Sequence, residues 1–262
     1  MIRSLYSAAT GMIAQQTNVD TISNNIANLN TTGFKKSRAE FTDLLYQTME
    51  YAGTSTSTTT LSPNGKQVGL GVKNIAIAKM FSIGTLKETG NELDVAITGK
   101  GFFSTQLPNG NLAYTRGGNF SRNENGDLTT AEGYPLVPNI NIPENATHVT
   151  IGTDGVVTVL QGDDTAPAEV GQITTHNFIN PAGLHALGSN LFLNTPASGD
   201  AIEGIAGQNG LGGLRQGILE VSNIKLVEEM TDLITAQRAY EANSKSISTS
   251  DDMLQMANQL KR

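Results

Sequence analysis

The sequence predicts an α+β protein in which N- and C-terminal helices pair as a coiled coil and bracket a central antiparallel β domain. Three patterns carry this expectation. Leu5, Met12, Val19 and Ile26 recur at every seventh position near the N-terminus. Leu226, Leu233, Tyr240, Ile247 and Leu254 do the same near the C-terminus, with Met230 as a companion. A seven-residue period keeps one apolar stripe against a partner helix as both supercoil. Between the ends, Asn109-Gly110, Asn125-Gly126 and Asp154-Gly155 interrupt strand-like sequence, and these dipeptides suit the tight hairpin turn that requires positive φ.

Residues 1–34 form the first element, a helix expected from Ile2 to Leu29 and ended at Asn30-Thr31-Thr32-Gly33, where glycine takes a left-handed C-terminal conformation without strain. Its companion positions Ile2 and Ala9 turn polar at Gln16 and Ser23. On the other helix Gln237, Ser244, Asp251 and Asn258 follow Met230. Polar residues at such positions set register at a cost in stability. An amphipathic helix packed on a globular core is the ordinary reading of either stripe, but a stripe at each end of one chain favours pairing. Gly11 costs roughly 1 kcal/mol against Ala, and Asn18, Asn24, Asn25, Asn28 and Asn30 are poor helix formers. The termini are therefore expected to fray in a lone subunit and to order against neighbouring copies.

Residues 35–67 read as an extended arm or hairpin connector. Phe41, Leu44, Leu45 and Met49 leave a short helix open as the alternative, and the Thr/Ser tract from Gly53 to Thr60 suits either a linker or a projecting hairpin. Residues 68–217 form the β domain, within which the glycine-rich stretch Gly199 to Gly213 reads as a long loop. Residues 218–262 carry the second helix, with Ser222 and Asn223 as candidate caps, Glu228 and Glu229 near its start, and Lys261-Arg262 at its end, all matched to the helix dipole.

Composition narrows the function. Seventeen basic against 24 acidic residues give a formal charge of −7, and the basic residues are dispersed, so no nucleic-acid partner is expected. The absence of cysteine removes disulfides and thiolate metal sites. No stretch approaches the roughly 20 apolar residues of a membrane span, so no membrane insertion is expected. Met1 to Gln16 is interrupted by Ser4, Ser7, Thr10 and Gly11 and does not read as a cleavable signal.

His148, His176 and His185 are widely spaced. Gly69-Leu70-Gly71 and Gly99-Lys100-Gly101 lack the third glycine of a dinucleotide loop. Ser121, Asn123, Asn125, Gly126, Leu128 and Glu132 imitate the spacing of a calcium loop, but Ser occupies the first position and the flanks read as strands, so a β-turn is expected. Asp163-Asp164 and Glu228-Glu229 read as solvated carboxylates. No nucleophile, base and orienting group stand together, so the chain is expected to be no enzyme and to hold no cofactor or metal.

The ends then resemble a family. Asn24-Asn25-Ile26-Ala27-Asn28-Leu29-Asn30-Thr31-Thr32-Gly33-Phe34-Lys35 resembles the N-terminal signature of the bacterial flagellar rod and hook proteins, and Gln237-Arg238-Ala239-Tyr240-Glu241-Ala242-Asn243-Ser244-Lys245 their C-terminal one. Gly99-Lys100-Gly101-Phe102-Phe103 and Tyr114-Thr115-Arg116-Gly117-Gly118-Asn119-Phe120 resemble the family's internal motif. Within the family, Asp43-Leu44-Leu45-Tyr46-Gln47-Thr48, the tract after it and Ile151-Gly152-Thr153-Asp154-Gly155-Val156-Val157 point to the distal rod. The resemblance implies a self-assembling subunit of a rigid, hollow drive shaft that crosses the periplasm and joins the proximal rod to the hook. It also implies passage through the P- and L-ring proteins, export by the flagellar type III apparatus without a cleaved signal, and terminal helices forming an inner tube around the export channel. Leu5, Met12, Val19, Ile26, Leu226, Met230, Leu233, Tyr240, Ile247 and Leu254 are the expected assembly residues. Asn24, Asn25, Asn28, Gly33, Phe34, Arg238, Tyr240 and Asn243 carry the family motif. A proximal rod or hook subunit is the alternative within the family. A secreted β-rich binding module would explain the Gly/Thr-rich middle but not the matched terminal heptads.

Overall fold

The computed structural model describes residues 2–53, 63–162 and 166–259. Most of the Thr/Ser tract, Asp163-Asp164 and Lys261-Arg262 lie outside the described residues. The chain has N- and C-terminal helices with antiparallel strands between them and divides into two compact units, one of residues 1–26, 37–78 and 225–262 and the other of 27–36 and 79–224. The second unit thus takes in 27–34 and 218–224, which the sequence groups with the helices, and 35–36, which it groups with the arm.

In the first unit, helix α1 spans Ile2–Ala27 and helix α2 spans Leu226–Gln259. Both are rich in hydroxyl side chains. Thr17, Thr21, Thr231, Thr235, Ser246 and Ser250 donate to the carbonyl four residues back, so these groups are satisfied on the helix itself. Residues 35–50 are extended rather than helical: Ser37–Asp43 pairs with Val72–Lys79, and Tyr46–Glu50 pairs antiparallel with Lys66–Gly69.

The second unit is a set of short antiparallel sheets. The largest has the spatial order Leu136–Val137, Phe103–Gln106, Leu112–Thr115, Leu191–Leu193, His185–Gly188. Ala146–Ile151, Val156–Gln161 and Ala168–Gln172 form a three-stranded sheet. All three turn dipeptides sit where the sequence puts them, each joining two antiparallel strands.

Alternation along the Phe102-Phe103 segment builds two cores, because successive side chains face opposite ways. Phe103 enters the main core with Val95, Ile97, Leu128, Leu136, Ile140, Val157 and Ile173. Phe102 joins Tyr114, Phe178, Leu184 and Phe192 in an aromatic cluster whose rings meet edge to face at 4.8 to 6.2 Å between centroids.

Two expectations are corrected. Gly33 is left-handed (φ 72°) but does not cap α1, which stops at Ala27 and is followed by a turn closed by the Thr31 amide on the Asn28 carbonyl. The Gly199–Gly213 stretch is not one loop. Ile202–Ile205 pairs with Thr174–Asn177, and Gly213–Gln216 pairs with Val95–Thr98. The glycines serve packing: a Cβ at Gly212 would lie 2.6 Å from the Gly99 Cα.

Candidate assembly surfaces and the buried motif residues

The helix pair leaves apolar side chains open. Leu5, Met12, Val19 and Ile26 are half-buried, as are Leu233, Ile247 and Leu254, while Leu226, Met230 and Tyr240 are 41%, 51% and 43% exposed. The polar companion positions Gln16, Ser23, Gln237, Ser244, Asp251 and Asn258 are exposed in the single chain. The buried positions are instead Ala8, Ala14, Thr21, Ile22 and Asn25 on α1, and Glu229, Ala236 and Ser250 on α2. Val19 and Tyr240 line one groove of about 560 Å³ together with Gln16, Gln237 and Glu241. Heptad counting finds the apolar line and misses the inward one because, apart from Ile22, the inward line is made of small and polar residues.

The family-motif residues separate into buried and open sets. Asn24, Arg238 and Tyr240 are exposed, and Asn28 and Asn243 are half-buried. Asn25 is buried and uses its whole amide. Its Oδ1 accepts from the Ser37 amide at 2.9 Å, and its Nδ2 donates to the Ser37 carbonyl at 2.8 Å and to Glu229 Oε2 at 3.0 Å. One asparagine thus joins the last turn of α1, the first residue of the strand Ser37–Asp43 and the first turn of α2. Only a side chain carrying both donor and acceptor pairs in this way with a backbone unit.

In the second unit Gly33 and Phe34 lead into Lys35, which is fully buried. Its ammonium donates to Glu220 Oε1 at 2.5 Å and to the Ser82 carbonyl at 2.6 Å. Arg116 reaches the other oxygen of Glu220 with Nε at 3.0 Å and Nη2 at 2.7 Å, and its Nη1 donates to the carbonyls of Gly99 and Gly101. Burial pushes the Glu220 carboxyl up, but the charges of Arg116 and Lys35 and the Gly84 amide outweigh it and hold the group below its ordinary value. Burial, and then Arg116, lower the Lys35 ammonium despite its bond to Glu220. The network pins the N-terminal signature and both internal motif segments to the strand Ile218–Glu220. Asn223 is no helix cap: its Oδ1 accepts from the Lys36 amide and its Nδ2 donates to Met80 and Ser82 carbonyls. Lys35, Arg116 and Glu220 escape sequence reasoning as a network, although Lys35 and Arg116 fall inside the motifs that carry the resemblance.

The calcium-like spacing is a hairpin turn. Asn123 Oδ1 accepts from the Asn125 and Asp127 amides, and bonds from Asn141, Asn123 and Asn139 hold the Asp127 carboxyl low. His176 lies buried beside Tyr114, and His148 pairs with Glu92. Among the described residues no group of three or more His, Asp or Glu side chains is placed to hold a metal ion, and no helix is long and apolar enough to cross a membrane.

Half-open helices, a well-packed β unit and buried charges spent on joining segments define a structural assembly subunit. Comparison with known proteins agrees. Family models match residues 5–35 as a flagella basal body rod protein, residues 96–159 as the flagellar hook protein FlgE/F/G D1 domain, and residues 215–260 as the flagellar basal body rod FlgEFG protein C-terminal region. The chain is 53% identical over 264 residues to the flagellar basal-body rod protein FlgG of Borreliella burgdorferi, covering all of both chains. It is 51% identical over 260 residues to that of Buchnera aphidicola from Schizaphis graminum, covering 99% of this chain and all of the relative. With the Bacillus subtilis protein of the same name it shares 42% over 267 residues, again the whole of both. The chain belongs to the flagellar basal-body rod protein family, a family of structural rod subunits.

Proposed function

We propose that this chain is a subunit of the distal rod, polymerising with itself into a rigid, hollow helical drive shaft that carries motor torque to the hook and surrounds the export channel. The observation that carries this reading is the line of heptad side chains left partly open on both helices, Leu5 to Ile26 and Leu226 to Leu254. Burying a leucine or isoleucine is worth about 1.5–3 kcal/mol, so a repeated stripe of them favours contact with further copies. In the polymer α1 and α2 form a coiled coil, within segments 1–34 and 218–262, and the β domain of 68–217 and the arm of 35–67 complete each subunit. The neighbours are proximal rod proteins at one end, the hook protein at the other, and the P- and L-ring proteins around the shaft. The subunit reaches its place across the periplasm through the flagellar type III export apparatus, without a cleaved signal.

The test is to tag the subunit and image purified basal bodies by electron microscopy. Label is expected along the rod segment next to the hook. Label confined to the hook or to the proximal rod would overturn the assignment. The arm is assigned the task of keeping the shaft straight, so deleting residues 53–63 is expected to give curved or unstable rods, and mutant rods as straight as the parent's would refute that role.

A further inference from the structure

We propose that a polar ladder, Ser4/Ser250, Gly11/Asn243, Asn18/Ala236 and Asn25/Glu229, fixes the register in which α1 and α2 pair. Three of the rungs are contacts. The Ser4 and Ser250 hydroxyl oxygens lie 3.2 Å apart, Asn25 Nδ2 donates to Glu229 Oε2 at 3.0 Å, and a Cβ at Gly11 would lie 2.9 Å from Asn243 Nδ2. Each step of seven residues forward along α1 is matched by seven backward along α2. That progression is an antiparallel heptad register, and it sets Asn18 opposite Ala236, which is 2% exposed.

The ladder supplies what the apolar stripe lacks. Leu, Met, Val and Ile on α1 and Leu, Tyr, Ile and Leu on α2 repeat at equal intervals and look much the same after a slip of one heptad, so the stripe specifies a face but hardly a register. The rungs are not interchangeable. A slip in either direction takes Asn25 away from Glu229, both buried, although Asn25 is held in place by its two bonds to Ser37. Sliding α2 so that Asn243 faces Asn18 also loses the one position without a Cβ that admits its amide closely. Buried polar groups that lose their partners cost more than the bonds are worth when made, so the slipped states are disfavoured while the correct one gains little net energy. The ladder stands without the assembly reading; it deepens that reading by giving neighbouring copies one fixed arrangement of the stripe.

The chain has no cysteine, so introduced pairs report directly. In the full-length protein, Ser4→Cys/Ser250→Cys and, independently, Asn18→Cys/Ala236→Cys test two rungs, and Ser4→Cys/Asn243→Cys tests the slipped register. Each is oxidised mildly in assembled rods, and intrachain disulfides are quantified on non-reducing gels and by peptide mass. The in-register pairs are expected to exceed the slipped pair by about tenfold or more, the ratio that loss of a hydrogen bond to a charged group gives. Equal yields, no intrachain disulfide in either in-register pair, or in-register disulfides found only between chains would each overturn the ladder. In-register disulfides formed within a soluble chain that builds no rods would support the ladder and count against the assembly reading alone.

Discussion

The two units solve the problem of burial in different ways. In the β unit Val95, Phe103, Leu136, Val157 and Ile173 are fully enclosed, and even Lys35 and Glu220 are out of water. In the helical unit Tyr6, Ile13, Val227, Met230 and Ile234 remain exposed, and the inward positions are, apart from Ile22, small or polar. A unit that encloses its own core needs no partner to fold, whereas a helix pair that encloses mostly alanine, serine and asparagine gains little from its own closure. The chain thus combines a body that encloses its own core with end helices that leave much of their apolar surface open.

Hydrogen exchange on the dilute monomer gives the widest contrast. Amides of Val95–Thr98 and Leu112–Thr115 should be protected to the global stability, several kcal/mol or roughly 10³-fold and more, while those of α1 and α2 exchange nearly as in free peptides. Equal protection in both would refute the division. Next in size, Glu220→Gln leaves Arg116 and Lys35 buried without a counter-charge and should cost about 3–5 kcal/mol in urea unfolding of the β unit. Lys35→Met should cost less, because the Arg116–Glu220 pair survives and a desolvated cation is removed. Since the folded Glu220 carboxyl lies below its ordinary value, its contribution is present above that value and disappears as the pH falls through the lowered one. Parent stability should therefore drop in acid, and the drop attributable to this group should vanish in Glu220→Gln.

Leu233→Asp acts on the other side of the comparison. Loss of a burial worth about 1.5–3 kcal/mol, together with a carboxylate placed in an apolar contact, should block rod growth yet leave the β unit's unfolding midpoint unchanged. Normal rods and motility in that variant would show that Leu233 is outside the contact. The smallest effect belongs to His176, which burial holds below its ordinary value although Glu203 pulls it the other way. The unfolded chain binds the proton more readily, so stability should decline as pH falls below about 6.5, and His176→Gln should flatten that part of the profile.

What could be read from the sequence follows from how local each signal is. Asn109-Gly110, Asn125-Gly126 and Asp154-Gly155 were legible because turn chemistry resides in two adjacent residues. The end helices were legible because a period of seven repeats itself. The strand Ile202–Ile205 was hidden, since glycines that admit a close neighbour look the same as glycines of a loop: a Cβ at Gly204 would lie 2.5 Å from Leu211 Cδ1. The Lys35–Glu220–Arg116 network was hidden for a different reason. Its members are 104 or more residues from Glu220 in sequence, and each reads alone as a surface charge. The inward line of the helices was missed because a count of apolar residues passes over Asn25, Glu229, Ala236 and Ser250.

The Ser4–Ser250 contact spans 246 positions of the chain, and this separation sets an order in time. During synthesis α1 emerges first and waits while every strand of the body is made, because no residue of α2 exists until after position 225. Closing so long a loop is slow and entropically costly, whereas the hairpins close over a few residues each. The body can therefore fold around its own turns before the two ends meet, so the pairing of α1 with α2 is completed last.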